Sequence, residues 1–405
     1  MKLIYLHQYF KKPSENGGTR SYDLAGSFVK QRLNVEVVTT TSEKEGFAKG
    51  HRWRKEEIDG IIVHYLYLAY DNSFSFTKRA WVFFLFLWYS SVKLLRLKAD
   101  VVLATSTPLT IGIPALIKKM VHRTPYIFEV RDVWPEAVIA VGAVKNRWMQ
   151  KVLYRVEKLI YKNAIGIVPL STDMQKSIVS RFPQFRDKAD IVIENIAEIN
   201  RFQNNTGKIN LANFIGFSPR FSVLYAGTFG KVNGIHKTIE LAERTLKLDR
   251  ELVFILVGSG AEKQNVIQLA KDTGVLNKNV FILESISKNE LPLWYNAVSM
   301  GSSFVVDIPE LWANSANKFF DTLAAGKPIL VNHEGWQADM IRSKNIGYVL
   351  PFKITDKVAQ EFVDYSKSNL LCTKQGEYAL GLAKEKYSLE TATQNYLKVF
   401  SKVGI

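Results

Sequence analysis

The chain has 405 residues, 47% of them hydrophobic, with a single cysteine and a formal net charge of +16 at pH 7. That length exceeds what one hydrophobic core ordinarily organises and suits two domains of about 150–200 residues each. The lone thiol, Cys372, excludes an internal disulfide and suits a reducing compartment, so the expected location is the cytoplasm. The basicity is uneven, with 30 Lys and Arg against 19 Asp and Glu in residues 1–200. No recognition module or aromatic-interleaved basic motif for nucleic acid accompanies it, so the expected partner is anionic lipid or a phosphorylated substrate, not nucleic acid.

The opening run, MKLIYLHQYF, has one lysine, a short apolar segment and no small-residue cleavage site, and it reads as a strand over 3–7. Glu15-Asn16-Gly17-Gly18-Thr19-Arg20 then leads into a helix from about Ser21. Two glycines let a backbone approach a ligand closely, and a helix start offers free N–H groups to a phosphate or carboxylate; a plain turn closing on a helix is the alternative. Strands follow at 35–39 and 61–65. Residues 80–92, between Lys78-Arg79 and Lys93, Arg96 and Lys98, are strongly apolar and aromatic. At 13 residues they fall short of the ~20 needed to span a bilayer. They suit a helix lying in the lipid interface, a helix packed on the sheet, or one face in each.

After a strand at 101–104, the strand at 126–130 runs into Arg131-Asp132-Val133-Trp134-Pro135-Glu136. Strand alternation puts Glu129 and Arg131 on one face, where a carboxylate and a guanidinium can form a bidentate pair, a structural role being the alternative to a functional one, and leaves Asp132 at the cleft. Further strands at 166–169 and 191–193 complete the first series. Residues 197–220 are rich in Asn, Gly and Pro and read as the connection to a second series at 222–225, 252–257, 280–283, 301–305 and 328–331. Glycine turns follow two of these strands, Gly227-Thr228-Phe229-Gly230-Lys231 and Gly258-Ser259-Gly260. From Asn314 to Pro328, Ser315 is the expected cap of a helix that presents Asn317 and Lys318 to a diphosphate, with Asp321 one turn further on for the ribose hydroxyls. An exposed Lys and Asp on an ordinary helix is the alternative. The tail from Ser388 reads as an amphipathic helix. Alternating strands and helices in both halves predict two parallel-sheet α/β units with ligands beyond the strand carboxyl ends.

Taken in order, His7-Gln8-Tyr9-Phe10 with Gly17-Gly18-Thr19-Arg20, Ala104 through Leu109, Phe128 through Glu136, Tyr225 through Lys231, and Asn317 through Pro328 resemble the family 4 glycosyltransferases. Within them the likeness is to bacterial enzymes of capsule, O-antigen and colanic-acid assembly similar to L-fucosamine transferases. The resemblance implies a GT-B fold: two Rossmann-like, doubly wound parallel-sheet domains facing a central cleft, over 1–200 for the acceptor and 215–385 for the donor, with 386–405 returning to the first. It implies a retaining transfer from a UDP-sugar, an N-acetylated amino sugar or deoxysugar, to a lipid-linked saccharide at an anionic membrane surface on the inner face of the cell membrane.

The site residues so implied are Asp132, Arg131 and Glu310 for catalysis; Thr228, Lys231, Gly258, Ser315, Asn317, Lys318 and Asp321 for the donor; and Gly17, Gly18 and Arg20 for the acceptor or diphosphate loop. No Asp-x-Asp motif occurs, and neither a metal nor another cofactor is expected. The chain departs from the broader family at Ala313, where an acid is usual and Glu310 is the nearest substitute; at Arg131, in place of a histidine; and at Thr228 and Asn233, in place of an Arg and Lys pair, which leaves Lys231 as the local cation. A sugar-nucleotide epimerase or hydrolase on the same fold, or a donor-binding subunit with weakened catalysis, are the rival readings.

Overall fold

The computed structural model describes residues 1–15, 17–69, 74 and 76–402, without the side chains of residues 76, 77, 79 and 80. Asn16 and the last three residues lie outside them. Two sheets organise the chain. The first holds β1 (Lys2–Leu6), β2 (Asn34–Thr41), β3 (Trp53–Ile58), β4 (Ile61–Tyr67), β5 (Val101–Thr105), β6 (Tyr126–Val130) and β7 (Gly166–Pro169), in the order β3-β4-β2-β1-β5-β6-β7. The second holds β8 (Phe221–Ala226), β9 (Leu252–Val257), β10 (Val280–Leu283), β11 (Met300–Ser303), β12 (Ile329–Val331) and β13 (Gly347–Val349), in the order β10-β9-β8-β11-β12-β13. Every pairing is parallel except β3 with β4. Their central strands are short runs of Val, Ile, Leu and Phe because helices cover both faces of each sheet, and the apolar side chains fill cores on either side.

Three differences from the sequence reading have physical causes. Residues 191–193 make no strand; the Ile193 N–H donates to the Pro169 carbonyl at 3.1 Å, but its carbonyl accepts from the Arg20 side chain instead of continuing a ladder. The β3 segment, Trp-Arg-Lys-Glu-Glu-Ile, is half-exposed at a sheet edge, and its charges hide the strand while protecting that edge. The three residues of β13 at the opposite edge are too few for a legible pattern.

The helix Phe76–Arg96 divides its faces. Val82, Phe86, Ser90 and Leu94 are buried on the first sheet, whereas Trp81, Phe84 and Trp88 are 58%, 53% and 62% exposed. The i, i+3, i+7 spacing of those three aromatics puts them on one stripe. Lys93 does not project freely beside them: its ammonium lies 5.1 Å from the Trp53 ring centre. Among the described residues no helix is long and apolar enough to cross a membrane.

The connection over 197–220 is no loose tether, because Phe202, Leu211 and Ile215 enter the core under the second sheet. Ser388 caps the helix Leu389–Ser401, its hydroxyl accepting from the Thr391 N–H at 3.1 Å. That helix packs on Arg20–Lys30 of the first unit through Phe28, Tyr396 and Phe400.

Candidate active site

The strand carboxyl ends of the two sheets enclose a cleft, as crossover geometry in parallel α/β sheets dictates. It consists of two chambers of about 400 and 450 Å³ that share Gly18, Asn233, Ala316, Asn317 and Lys318. The first lies toward β1, β5 and β6 and brings His7, Tyr9, Thr107, Arg131 and Asp132 opposite Asn314 and Ser315. The second lies toward β8, β9 and β10 and is lined by Gly17, Thr228, Gly258, Ser285, Lys288 and Asp321.

The junction is the start of the helix Asn317–Ala324. Its cap position is Ala316, with no side-chain cap, so its first N–H groups remain available to an anion. Ser315 is not that cap: its hydroxyl accepts from the Asn195 N–H at 3.2 Å, and its carbonyl accepts from the Asn195 amide, so it ties the two units together. Gly18 lies so close to Asn317 that a methyl group there would collide with the amide nitrogen. Gly258 has no room either, since a methyl would overlap the Gly227 carbonyl.

Lys318 is half-buried, its ammonium 4.9 Å from the centre of the Tyr225 ring. Burial pushes its pKa down to about 8, with Asp321 pulling the other way. It is not the fully exposed lysine of the alternative reading, because the turn after β8 closes over it, with Gly227 against its side chain. Asp321 is buried and receives the Lys288 ammonium on both oxygens at 2.5 Å. Lys288 was missed; its position just after β10 was the available signal. An acid already held by a lysine keeps further lone pairs for hydroxyl donors.

In the first chamber His7 is buried, its Nδ1 2.5 Å from the Ser21 hydroxyl and its Nε2 3.4 Å from an Arg131 nitrogen. Burial, then Arg131 and Arg20, hold its pKa well below the usual histidine value, so it is neutral. Asp132 accepts from the Thr107 hydroxyl at 2.6 Å.

Four expectations need correction. Glu129 does not pair with Arg131. Its carboxylate is fully buried, 3.5 Å from Arg20 and accepting from the Tyr396 hydroxyl, while Arg131 lies beyond the end of β6, where strand alternation no longer applies. Arg20 is therefore not a cleft residue; it is buried and also donates to the carbonyls of Ile193, at 3.0 Å, and Glu194, at 2.5 Å. Lys231 is exposed and lines neither chamber, whereas its neighbour Asn233 lines both. Glu310 is exposed on the short helix Pro309–Trp312 and lines a separate cavity with Glu136 and Asp173. Position 313 cannot restore an acid there, because Ala313 is buried between the units with Val133, Leu170 and Met174, its carbonyl accepting from the Ser171 hydroxyl at 2.6 Å. Among the described residues no group of three or more His, Cys, Asp or Glu side chains gathers as metal ligands.

Comparison with known proteins bears on both halves. Residues 17–192 match the family described as "Glycosyl transferase 4-like domain", and residues 214–381 match "Glycosyl transferases group 1". The spore coat protein SA of Bacillus subtilis (strain 168) is 20% identical over 295 residues, 69% of this chain and 77% of that protein. Sucrose-phosphate synthase of Thermosynechococcus elongatus superposes with a TM-score of 0.74 at 12% identity, covering 100% of this chain and 99% of that one. Anabaena HepE, solved in complex with UDP and glucose, superposes with a TM-score of 0.68 at 15% identity over 99% of both chains. Matched in each half by a glycosyltransferase domain and built as two parallel-sheet units around a common cleft, the chain belongs to the GT-B glycosyltransferases of family 4.

Proposed function

We propose that the chain is a retaining, metal-independent transferase that moves an N-acetylated amino sugar or deoxysugar from a UDP-sugar to a lipid-linked saccharide in bacterial surface-polysaccharide assembly. The observation that carries this reading is the meeting of the two chambers at Asn317 and Lys318. A diphosphate at that junction takes hydrogen bonds from the helix start and charge from Lys318, and its ribose faces the Lys288–Asp321 pair. The glycosyl group then extends into the first chamber, beside Asp132 and Arg131. The acceptor hydroxyl attacks the anomeric carbon on the face that UDP leaves, and the departing phosphate oxygen takes the acceptor proton. Preorganised Lys318 and the helix start offset the charge on UDP, so no divalent ion is required. Asp132, held by Thr107, and Arg131 orient the reacting groups.

The acceptor is delivered at an anionic membrane surface on the inner face of the cell membrane. The exposed stripe Trp81, Phe84 and Trp88 supports this, since amphipathic helices flanked by cations settle at the headgroup boundary. Arg96 and Lys98 are exposed at the end of the same helix, and the helix Gly112–His122 packed against it exposes Met120 and Val121.

The test is a thermal-shift screen of UDP-, GDP- and dTDP-sugars, followed by turnover in excess EDTA with NMR assignment of the product anomer. UDP-sugars are expected to stabilise the protein and give a product of unchanged anomeric configuration. Stabilisation by the GDP or dTDP series alone, an inverted anomer, or a divalent-ion requirement each overturns the corresponding part.

A further inference from the structure

The acid that strand alternation assigns to Arg131 is consumed elsewhere. Glu129 is engaged by Arg20 and Tyr396, and Asp132, the one acidic side chain lining the first chamber among the described residues, is engaged by Thr107. Arg131 forms no ion pair among the described residues, yet it lines the chamber in a defined pose. Its backbone N–H donates to the Ser106 hydroxyl at 2.9 Å, and its guanidinium lies 3.4 Å from His7 Nε2.

A guanidinium has only donors, so His7 Nε2 accepts. The ring proton then sits on Nδ1 and is donated to the Ser21 hydroxyl at 2.5 Å. His7 is thus a neutral rest that supports the guanidinium without neutralising it, and among the described residues the guanidinium's remaining N–H groups have no partner. A cation that faces the chamber with no acid beside it leaves its charge for a ligand to balance, and a planar fork fits a carboxylate or phosphate in two-point contact.

We propose that Arg131 reads a second anionic group, distinct from the nucleotide diphosphate, so that one of the two substrates carries a carboxylate or phosphate beside the reacting centre. This rests on the donor reading above for the placement of UDP in the other chamber. The group has two possible sources: a carboxylate on the donor sugar, or the phosphate joining the acceptor saccharide to its lipid. His7 and Ser21 act as positioning residues for the fork.

The experiment compares the full-length protein with Arg131→Gln and Arg131→Lys by equilibrium binding. One arm uses UDP-glucuronate against UDP-glucose. The other uses glucose joined to an octyl chain through a phosphodiester against octyl glucoside, with and without UDP. In one arm wild type is expected to bind the anionic probe roughly ten- to a hundredfold tighter, as a charge-assisted bond implies. Gln should abolish that preference and Lys should keep part of it; the arm that responds identifies the source. Equal binding of neutral and anionic probes by wild type in both arms overturns the proposal, whether or not the variants fold, as does a preference that survives in Gln. UDP alone is titrated against every protein. If wild type fails to bind UDP, the donor reading fails separately, and the octyl arm without UDP still decides the role of Arg131.

Discussion

Lys318 makes donor binding a proton-coupled event. Its pKa of about 8 in the free protein reflects burial, which disfavours the ammonium. A diphosphate beside it favours the ammonium, so binding raises the pKa and takes up a proton. The direction follows: affinity is fully present below pH 8 and is lost as pH rises above it, until the pKa of the bound state is reached. At pH 7 about nine lysines in ten are charged and at pH 9 about one in ten, so the UDP dissociation constant should rise roughly tenfold between them, about 1.4 kcal/mol. The terminal phosphate of UDP, with a pKa near ~6, is already ionised over that range. Calorimetry at pH 8 in two buffers of different ionisation enthalpy should register about 0.5 proton taken up per UDP bound. Lys318→Met should bind weakly and without proton uptake. A flat affinity from pH 7 to 9, or uptake that persists in the Met variant, refutes the reasoning.

Asp321→Ala leaves the Lys288 ammonium buried without its acid, and the urea transition should move by about 3–5 kcal/mol. Adding Lys288→Met should recover much of that loss while UDP binding stays impaired; a loss below about 1 kcal/mol would show that the pair is solvated. Changing Trp81, Phe84 and Trp88 together to Gln removes no core contact, so the melting temperature should hold while sedimentation with anionic phosphatidylglycerol vesicles falls at least about tenfold. Undiminished sedimentation assigns that stripe another role.

The sequence determines the alternation of apolar runs and helices that commits each half to a parallel sheet, and with it the rule that chemistry gathers beyond the strand ends. Gly18, Arg131, Asp132, Asn317, Lys318 and Asp321 were legible on those grounds, because the signals are local: a residue just past a strand or in the first turns of a helix. Partner choice was not legible. Glu129 goes to Arg20 and Tyr396, residues 109 and 267 positions away, because the returning C-terminal helix and the helix after the glycine turn converge on the end of β6. The exclusion of Lys231 and Glu310 from the cleft depends on which way the turn after β8 and the short helix Pro309–Trp312 run. Lys288 entered the site only when β10 was placed beside β9. Spacing along a chain fixes which face of an element a side chain occupies, whereas charge pairing is settled by distances of a few ångströms between elements far apart in sequence, and only the packed tertiary structure sets those distances.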